Sequence, residues 1–483
     1  MPSPVALKRS WVALGLLWLG LLLSTATERG VAFLTYGGGV PGYVALWLPL
    51  APALVLGLRA LGVPRLAVAV VLASTLPTFL RHDPPAAVPQ LLLWLGMVLL
   101  LGLIGWWLVA RLRSPSVEAG PVQAVRWPLV GLLVLLVLAL RVPLAFLDPG
   151  TSDIPRASEA AARALLAGDN PYLVPNENTI VGTYQYPAGS ILAHLPFVAA
   201  APVEALGERW LGARAAVWAT DVLAVVLLAL AGARLGRARA GLAAALTYAL
   251  HPTLVRESGL TATNDLMLAV AALGCALLLA RRRPWWAGAA LGVAMSIKPA
   301  ALVALPVVAV AGGWGAALVA LAVPAALQLP FLALPRPGLH GVSAIVEPAG
   351  RLYDASVLQG SLWWPLYEAV TPSAGLLRGL TLLGIAASFA AATWAGRRLR
   401  GRPGDAALAA AAVGLPLLVS FATATDWRLT FQDWYLPCLV AAAVLAPAAR
   451  RAPRSAPTLA RSERLPVGRG EDGRIAPRAP GAT

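Results

Sequence analysis

The stretch that decides the fold runs from Trp127 to Leu147 and reads WPLVGLLVLLVLALRVPLAFL. Its only charged residue is Arg141, and about 20 apolar residues are enough to cross a bilayer as a helix. The segment 148–186 follows directly and reads DPGTSDIPRASEAAARALLAGDNPYLVPNENTIVGTYQY, which is rich in carboxylates, amides and aromatic rings. The pair of segments predicts a membrane helix that brings a polar, site-bearing loop to the membrane surface.

The composition of the whole chain extends this prediction. Hydrophobic residues make up 59% of the sequence and charged residues 12%, whereas soluble domains carry about 25% charged residues. Apolar runs of helical length recur along the chain, and they lack the alternation of polar and apolar residues that a membrane barrel requires. The sequence therefore predicts an all-α, polytopic membrane protein.

The net charge of +16 follows from the placement of the arginines. They lie in short loops between apolar runs and in the tail from Arg450 onward, as the positive-inside rule expects. No basic face with interleaved aromatics is present, so we expect no nucleic-acid partner. Cys275 and Cys438 lie inside apolar segments and indicate neither a disulfide framework nor a metal site.

Hydropathy and arginine placement together predict about 14 spans with both termini cytoplasmic. The predicted spans are 10–26, 42–60, 65–80, 89–110, 127–147, 213–233, 240–256, 262–281, 285–297, 300–313, 315–333, 374–395, 405–422 and 434–449. The spans 285–297 and 300–313 are short and separated by Pro299, which suggests a cavity. The run 11–23 after Lys8 and Arg9 is interpreted as a retained helix, with a cleaved signal peptide as the alternative.

The segment 187–206 is apolar but is not assigned as a span. We interpret it as a juxtamembrane or re-entrant segment, which is tolerated where it is buried against protein. The alternative, a true span, would reverse every later span and move three arginine clusters to the outside. The residues that argue against a span are Pro187, Pro196, Pro202, His194 and Glu204.

Three regions follow from this placement. Residues 1–126 form an N-terminal transmembrane extension of about four spans, and residues 127–449 form the core. The basic tail 450–483 has few apolar anchors and is predicted to be disordered and cytoplasmic.

The predicted outer face collects carboxylates and cations from separate loops. Such a set could activate a hydroxyl and hold a phosphate, although a hydrated outer surface is the better explanation for most of these residues. The set comprises Asp148, Asp153, Arg156, Glu159, Asp169, Asn170, Tyr172, His251, Arg256, Glu257, Asn264, Asp265, Lys298, Glu347, Arg351, Tyr353, Asp354, Asp426, Arg428, Gln432, Asp433, Trp434 and Tyr435.

Two aspartates each have two interpretations. Asp153 stands just beyond a span and before a helix-like stretch, so it is a candidate general base or an N-cap. Asp265 opens a span and could simply stabilise its positive end. By contrast, the run Asp169 to Tyr172 after Gly168 is typical of a helix stop and turn.

Lys298 is unusual because the only other lysine in the chain is Lys8. It lies within an apolar stretch, where an ionisable residue is a functional-site hypothesis. A phosphate is its candidate partner, and snorkelling to the interface is the alternative.

Other polar and aromatic residues favour structural roles. Asp221 and Arg141 lie at similar depth on two spans and predict a buried ion pair. Trp363-Trp364 and Trp434-Tyr435 fit interfacial aromatic belts, with stacking on a sugar as the alternative.

Several short motifs occur in an order that resembles a known family. They are Asp153 after a span, Gly168-Asp169-Asn170-Pro171-Tyr172, Tyr184-Gln185-Tyr186-Pro187, His251-Pro252, Asn264-Asp265, the Gly-rich helix from Gly288 to Lys298-Pro299, and Trp434-Tyr435 followed by Pro437. In this order, over roughly 127–449, the chain resembles the GT-C superfamily of membrane glycosyltransferases. The closest resemblance is to the polyprenyl-phosphate-dependent, mannosyltransferase-like branch, although Ala188 stands where many relatives have a second proline.

The resemblance implies a fold with juxtamembrane helices in a large outer loop and a catalytic acid at the position of Asp153. It implies a polyprenyl-phosphate sugar donor, a lipid, glycan or protein acceptor, and contact with membrane lipids, with no cofactor and no metal. Lys298, Arg256 and Arg351 are then expected to bind the donor phosphate. The expected substrate-binding residues are Asp169, Tyr172, Tyr186, His251, Asp265, Trp434 and Tyr435.

The function expected from the sequence is that of an inverting glycosyltransferase in the cell membrane. Its active site is expected on the extracytoplasmic side, and the transferred sugar is expected to be mannose-like. A transporter or lipid flippase is the alternative, although no internal repeat of the kind common in transporters is found. A third interpretation is a non-catalytic assembly factor that keeps the fold.

Overall fold

The computed structural model describes residues 50–75 (except 60 and 62), 90–114, 120–147, 153–173, 184–201, 210–333, 374–424 (except 403) and 433–446. All regular elements in these ranges are helical. The first eight helices are α1 Leu50–Arg59, α2 Arg65–Ala73, α3 Gln90–Arg113, α4 Trp127–Leu147, α5 Asp153–Leu166, α6 Ala188–Ala200, α7 Leu211–Arg234 and α8 Ala238–Leu250. The others are α9 Pro252–Arg256, α10 Asp265–Ala280, α11 Pro284–Ile297, α12 Leu305–Gly312, α13 Trp314–Ala333, α14 Ala374–Leu399, α15 Ala406–Thr423 and α16 Leu436–Val444.

Six of the described helices are long and apolar enough to cross a membrane: Trp94–Arg113 in α3, Trp127–Phe146 in α4, Leu211–Arg234, Trp314–Phe331 in α13, Gly375–Leu399 in α14 and Ala406–Thr423. The protein is therefore a helical, multi-pass membrane protein. The predicted total of about 14 spans includes 10–26, which lies outside the described residues, and it stays a prediction. The predicted tail 450–483 also lies outside them.

The broken helix around Pro299 is confirmed. Helix α11 ends at Ile297, Lys298 has an extended backbone with φ −151° and ψ 127°, and a 3₁₀ turn from Pro299 to Ala304 leads into α12. Proline has no backbone N–H to continue the helical ladder, and the residue before a proline is pushed toward extended geometry. The break therefore places Lys298 between two short helices.

Helices α4 and α7 meet at one end of the bundle. Leu144, near the end of α4, lies close against Gly259. A Cβ on Gly259 would come within 2.7 Å of the Leu144 Cδ1. Arg214, near the start of α7, donates from Nη1 to the Gly259 carbonyl at 3.0 Å. The end of α4 and the start of α7 therefore lie at one end of the bundle, as expected if 187–206 does not span the membrane. The assignment of 187–206 as a juxtamembrane or re-entrant segment stays a prediction.

The opposite end of the bundle is held together by arginines and loop backbone. Arg111 binds Asp405 with N–O distances of 3.1 and 2.9 Å, and Arg402 Nη1 donates to the Ser114 carbonyl at 2.9 Å. The Gly404 N–H donates to the Ala280 carbonyl at 2.9 Å. We call this end of the bundle the arginine end. The other end, where α4 and α7 meet, is called the acidic end. The arginine clusters share one end, as their spacing predicts; which side of the membrane it faces stays a prediction.

Close helix crossings depend on glycine. A Cβ on Gly189 in α6 would lie 2.1 Å from the Ser296 Oγ of α11, and a Cβ on Gly232 in α7 would lie 2.3 Å from the Gly241 Cα of α8. Small residues let membrane helices approach this closely. The first crossing sets α6 against the end of α11, next to Lys298.

Candidate active site

The centre of the candidate site is a buried ion pair joined by an indole. Lys298 Nζ lies 2.6 Å from Asp265 Oδ1, with the two side chains 13% and 0% exposed. Trp434 donates from Nε1 to the same oxygen at 2.5 Å. Lys298 follows α11, Asp265 is the first residue of α10, and Trp434 precedes α16, so three helix ends converge on one carboxylate.

This arrangement corrects three sequence interpretations. Asp265 is more than a helix cap, because its Oδ1 binds a lysine and a tryptophan. Lys298 does not snorkel to the interface, since its ammonium is directed at a buried carboxylate. The aromatic belt assigned to Trp434-Tyr435 is wrong, because these side chains are only 5% and 0% exposed. The packing of α16 against the bundle, which sequence alone does not show, explains the burial; Trp363-Trp364 lie outside the described residues.

Aromatic rings flank the ammonium of Lys298. Its Nζ lies 5.5 Å from the ring centroid of Tyr186 and 5.8 Å from that of Trp434, within the range of cation–π attraction. The rings of Tyr184 and Tyr186 meet edge to face at 5.6 Å. Tyr172 supports them by donating its hydroxyl to the Tyr186 carbonyl at 2.9 Å. Aromatic rings thus line the position of the Lys298 side chain.

Tyr184 is held in its neutral form. Burial raises its pKa to about 12, and its hydroxyl donates to Ser190 Oγ at 2.9 Å. The same Oγ lies 3.2 Å from Asn264 Nδ2. The hydrogen-bonded chain ties the start of α6 to the start of α10, which fixes the backbone next to Asp265.

Asp153 is the first residue of α5 and is half-buried. Burial raises the pKa of Tyr186, and the charges of Asp265 and Asp153 raise it further. Both carboxylates are therefore close enough to the Tyr186 ring for their charges to act on it. The structure brings Asp153 and Asp265 to the same part of the acidic end.

Asp433 is a buried carboxyl group that sequence reasoning named without a role. It is fully buried, and neither of its oxygens has a hydrogen-bond partner among the described residues. Burial, with the neighbouring charges of Glu257 and Asp265, holds its pKa well above its usual range. No sequence signal distinguishes it from a surface aspartate, because only the packing of the short turn before α16 buries it.

Arg256 is held beside this group. It forms an ion pair with Glu257, whose Oε2 accepts a hydrogen bond from Thr261 Oγ1 at 2.7 Å. Glu257 and Thr261 are the first and last residues of a π-helical turn, which is followed by Ala262 with a positive φ of 46°. Arg256 is near enough to Asp433 to offset part of the rise in its pKa. Arg351 lies outside the described residues.

Three predicted site residues lie outside this cluster of contacts. Asp169 is exposed and lies beyond the far end of α5, after Gly168 with φ +87°; its N–H donates to the Ala164 carbonyl at 2.9 Å. This confirms the predicted helix stop. His251 is buried and its Nε2 lies 3.0 Å from Ser74 Oγ on the N-terminal extension. Tyr435 is buried against Phe421, with ring centroids 5.5 Å apart.

The predicted ion pair inside the bundle is confirmed. Arg141 Nε lies 2.7 Å from Asp221 Oδ2, and both side chains are fully buried. Tyr248 donates its hydroxyl to Asp221 Oδ1 at 2.6 Å, and Arg141 Nη1 donates to the Ala249 carbonyl at 3.0 Å. The pair joins α4, α7 and α8 and is structural.

Comparison with protein-family models matches residues 184–421 to glycosyltransferase family 87, a family of the GT-C-type, mannosyltransferase-like membrane enzymes. The chain is a membrane glycosyltransferase of the GT-C type. The match covers Tyr186, Arg256, Asp265 and Lys298, whereas Asp153 and the segment around Trp434 lie outside it. No curated protein and no solved structure matches the glycosyltransferase.

Proposed function

We propose that this glycosyltransferase moves a mannose-like sugar from a polyprenyl-phosphate donor to an acceptor hydroxyl, with inversion at the anomeric carbon. The reaction takes place at the extracytoplasmic face of the cell membrane. The observation that carries the proposal is the convergence of Lys298, Asp265 and Asp433 with aromatic rings at the acidic end. A cation that is fixed among buried carboxylates suits glycosyl transfer. In that reaction negative charge grows on the leaving phosphate, and a proton is taken from the acceptor hydroxyl.

Lys298 is proposed to bind the donor phosphate. A lysine ammonium carries three N–H donors, and the contact with Asp265 holds it in one place before the donor arrives. Negative charge grows on the phosphate as the glycosidic C–O bond breaks, so a preorganised cation stabilises the transition state more than the ground state. Arg256 and Arg351 are proposed as further phosphate ligands.

Asp153 is proposed as the general base. Its position at the head of α5, half-exposed, gives an acceptor access to it. The acceptor oxygen attacks the anomeric carbon while its proton passes to the carboxylate, and the polyprenyl phosphate leaves with the electron pair of the broken bond. A single displacement of this kind inverts the anomeric configuration.

Asp433 is the second candidate for the base. A carboxyl group with a raised pKa is better matched to proton transfer near neutral pH than an ordinary one. Neither of its oxygens has a hydrogen-bond partner among the described residues, so both can accept a hydrogen bond from an acceptor hydroxyl. The two candidates are separated by the substitutions described in the Discussion.

The proposed function is tested with the purified full-length protein in vesicles. Polyprenyl-phosphate mannose labelled in the sugar is supplied with short mannoside acceptors, and the anomeric configuration of the product is read by NMR. Formation of a product of inverted configuration is expected, with no transfer from a nucleotide sugar. Transfer from the nucleotide sugar alone would overturn the donor assignment. Movement of lipid or solute without transfer from any donor would replace the enzymatic function with transport.

A further inference from the structure

The arginine end carries a cationic pocket that the proposed reaction does not use. It has a volume of about 570 Å³ and opens to the surface. Its lining residues are Arg234, Arg281, Arg283, Leu278 and Trp286. Arg234 ends α7, while Arg281 and Arg283 lie in the turn between α10 and α11.

The pocket lies far from the candidate active site. Helices α7 and α10 both begin at the acidic end, and they contain 24 and 16 residues. At 1.5 Å per residue they extend about 36 and 24 Å. The pocket is therefore at the opposite end of the bundle, and a ligand bound there cannot reach Lys298.

The three pocket arginines differ from the structural arginines around them. Arg111 pairs with Asp405 and Arg237 donates to the Leu445 carbonyl. None of the three pocket arginines forms an ion pair with a carboxylate in the described part of the chain.

The pocket arginines also repel one another. Burial and the neighbouring Arg234 charge lower the pKa of Arg281. Like charges this close disfavour the charged form, so a bound anion would relieve the repulsion.

One wall of the pocket is apolar. Leu278 is half-buried, and the indole of Trp286 is 67% exposed beside that of Trp285, which is 61% exposed. Exposed tryptophans at a helix end are typical of the level of lipid headgroups. A ligand that fits both walls carries an anionic group next to an apolar chain.

We propose that the pocket binds the phosphate headgroup of an anionic phospholipid. Basic pockets between membrane helices are suited to such headgroups, and guanidinium groups bind phosphate oxygens in a fixed geometry. The indole and Leu278 lie where the acyl chains begin. The site is independent of the proposed donor, whose sugar phosphate is placed at the other end of the bundle.

Native mass spectrometry of the purified full-length protein tests the proposal, with phosphatidylglycerol, phosphatidylcholine and inorganic phosphate as probes. The test variant is Arg234→Gln/Arg281→Gln/Arg283→Gln. The control variant is Arg113→Gln/Arg239→Gln/Arg400→Gln, which removes the same charge from exposed arginines outside the pocket. A third variant with lysine at the three pocket positions keeps the charge.

Phosphatidylglycerol is expected to bind the wild type and the control variant, and to bind the test variant about tenfold or more weakly. The lysine variant should retain intermediate binding. Equal binding by test and control variants would show that the arginines serve only to orient the helices. Binding of inorganic phosphate without preference for phosphatidylglycerol over phosphatidylcholine would overturn the lipid assignment. If the test variant does not fold, competition in the wild type decides: phosphatidylglycerol, and not inorganic phosphate, must displace a fluorescent anionic lipid.

Discussion

Lys298 Nζ and Asp265 Oδ1 lie 2.6 Å apart, although 32 residues and two helices separate them in the chain. The pair forms because α10 begins and α11 ends at the same end of the bundle. Trp434, which lies just before α16, donates to the same oxygen. The ammonium is thus fixed before any donor binds, which is the condition for preorganised stabilisation of a leaving phosphate.

Substitution of Lys298 tests this role. Lys298→Met is expected to lower kcat/KM for a polyprenyl-phosphate donor by roughly 10- to 100-fold, because a hydrogen bond to a charged group is lost. Lys298→Arg should rescue only part of the loss, since the guanidinium is a planar fork and the ammonium a compact charge. Unchanged donor kinetics in Lys298→Met would assign the pair with Asp265 to stability alone.

Asp153→Asn tests the general base. The change keeps the size of the side chain but removes the base, so turnover should fall by about 10²- to 10⁴-fold with little effect on membrane insertion. Asp169→Asn is the matched control, because Asp169 is an exposed carboxyl group beyond the far end of the same helix. Near wild-type turnover in Asp153→Asn, together with loss of activity in Asp433→Asn, would transfer the role to Asp433.

The raised pKa of Asp433 predicts that the stability of the folded protein depends on pH. Its folded-state pKa is raised above the unfolded value of about 3.9, so the folded protein binds this proton more tightly than the unfolded chain. The wild type should therefore lose stability as pH rises from about 4 through the folded-state pKa. Asp433→Asn removes this loss.

Thermal unfolding in detergent measures the Asp433 effect. The Tm of Asp433→Asn relative to wild type should be higher at pH 8 than at pH 5, whereas Asp169→Asn should follow the wild type at both. A Tm difference that does not change with pH would contradict the assignment.

The pair of Arg141 and Asp221 should contribute to stability only as a pair. Arg141→Met leaves a buried carboxylate without its cation, which costs about 3–5 kcal/mol. The double variant Arg141→Met/Asp221→Leu removes both charges and should recover much of that loss. Thermal unfolding of the two variants provides the comparison; additive losses would mean that the two groups are not coupled.

Cysteine labelling tests the topology. In a background of Cys275→Ala/Cys438→Ala, Asp169→Cys should react with an impermeant reagent added from outside, and Arg239→Cys should not. Both positions are exposed, so access differs only by membrane side. The opposite labelling pattern would invert the orientation and place the candidate site in the cytoplasm.

Local sequence patterns predicted the helices well because helix formation in lipid depends mainly on length and hydrophobicity. The segment Trp127–Leu147 forms a helix over these residues, and Pro299 breaks the helix at Lys298. The pairing of Arg141 with Asp221 was also predictable, since a charge within an apolar helix needs a counter-charge at the same depth.

Only the tertiary structure decided which polar residues share a site. Sequence placed Trp434 in an interfacial belt, but the packing of α16 buries it against Asp265. The sequence also gave no indication that the Asp433 side chain is buried away from water. Hydropathy specifies where each helix begins and ends, whereas the neighbours of a helix end depend on how the helices cross, through close contacts such as that between Gly189 and Ser296. Burial and charge pairing arise from that crossing, and they distinguish a candidate site residue from a surface carboxylate.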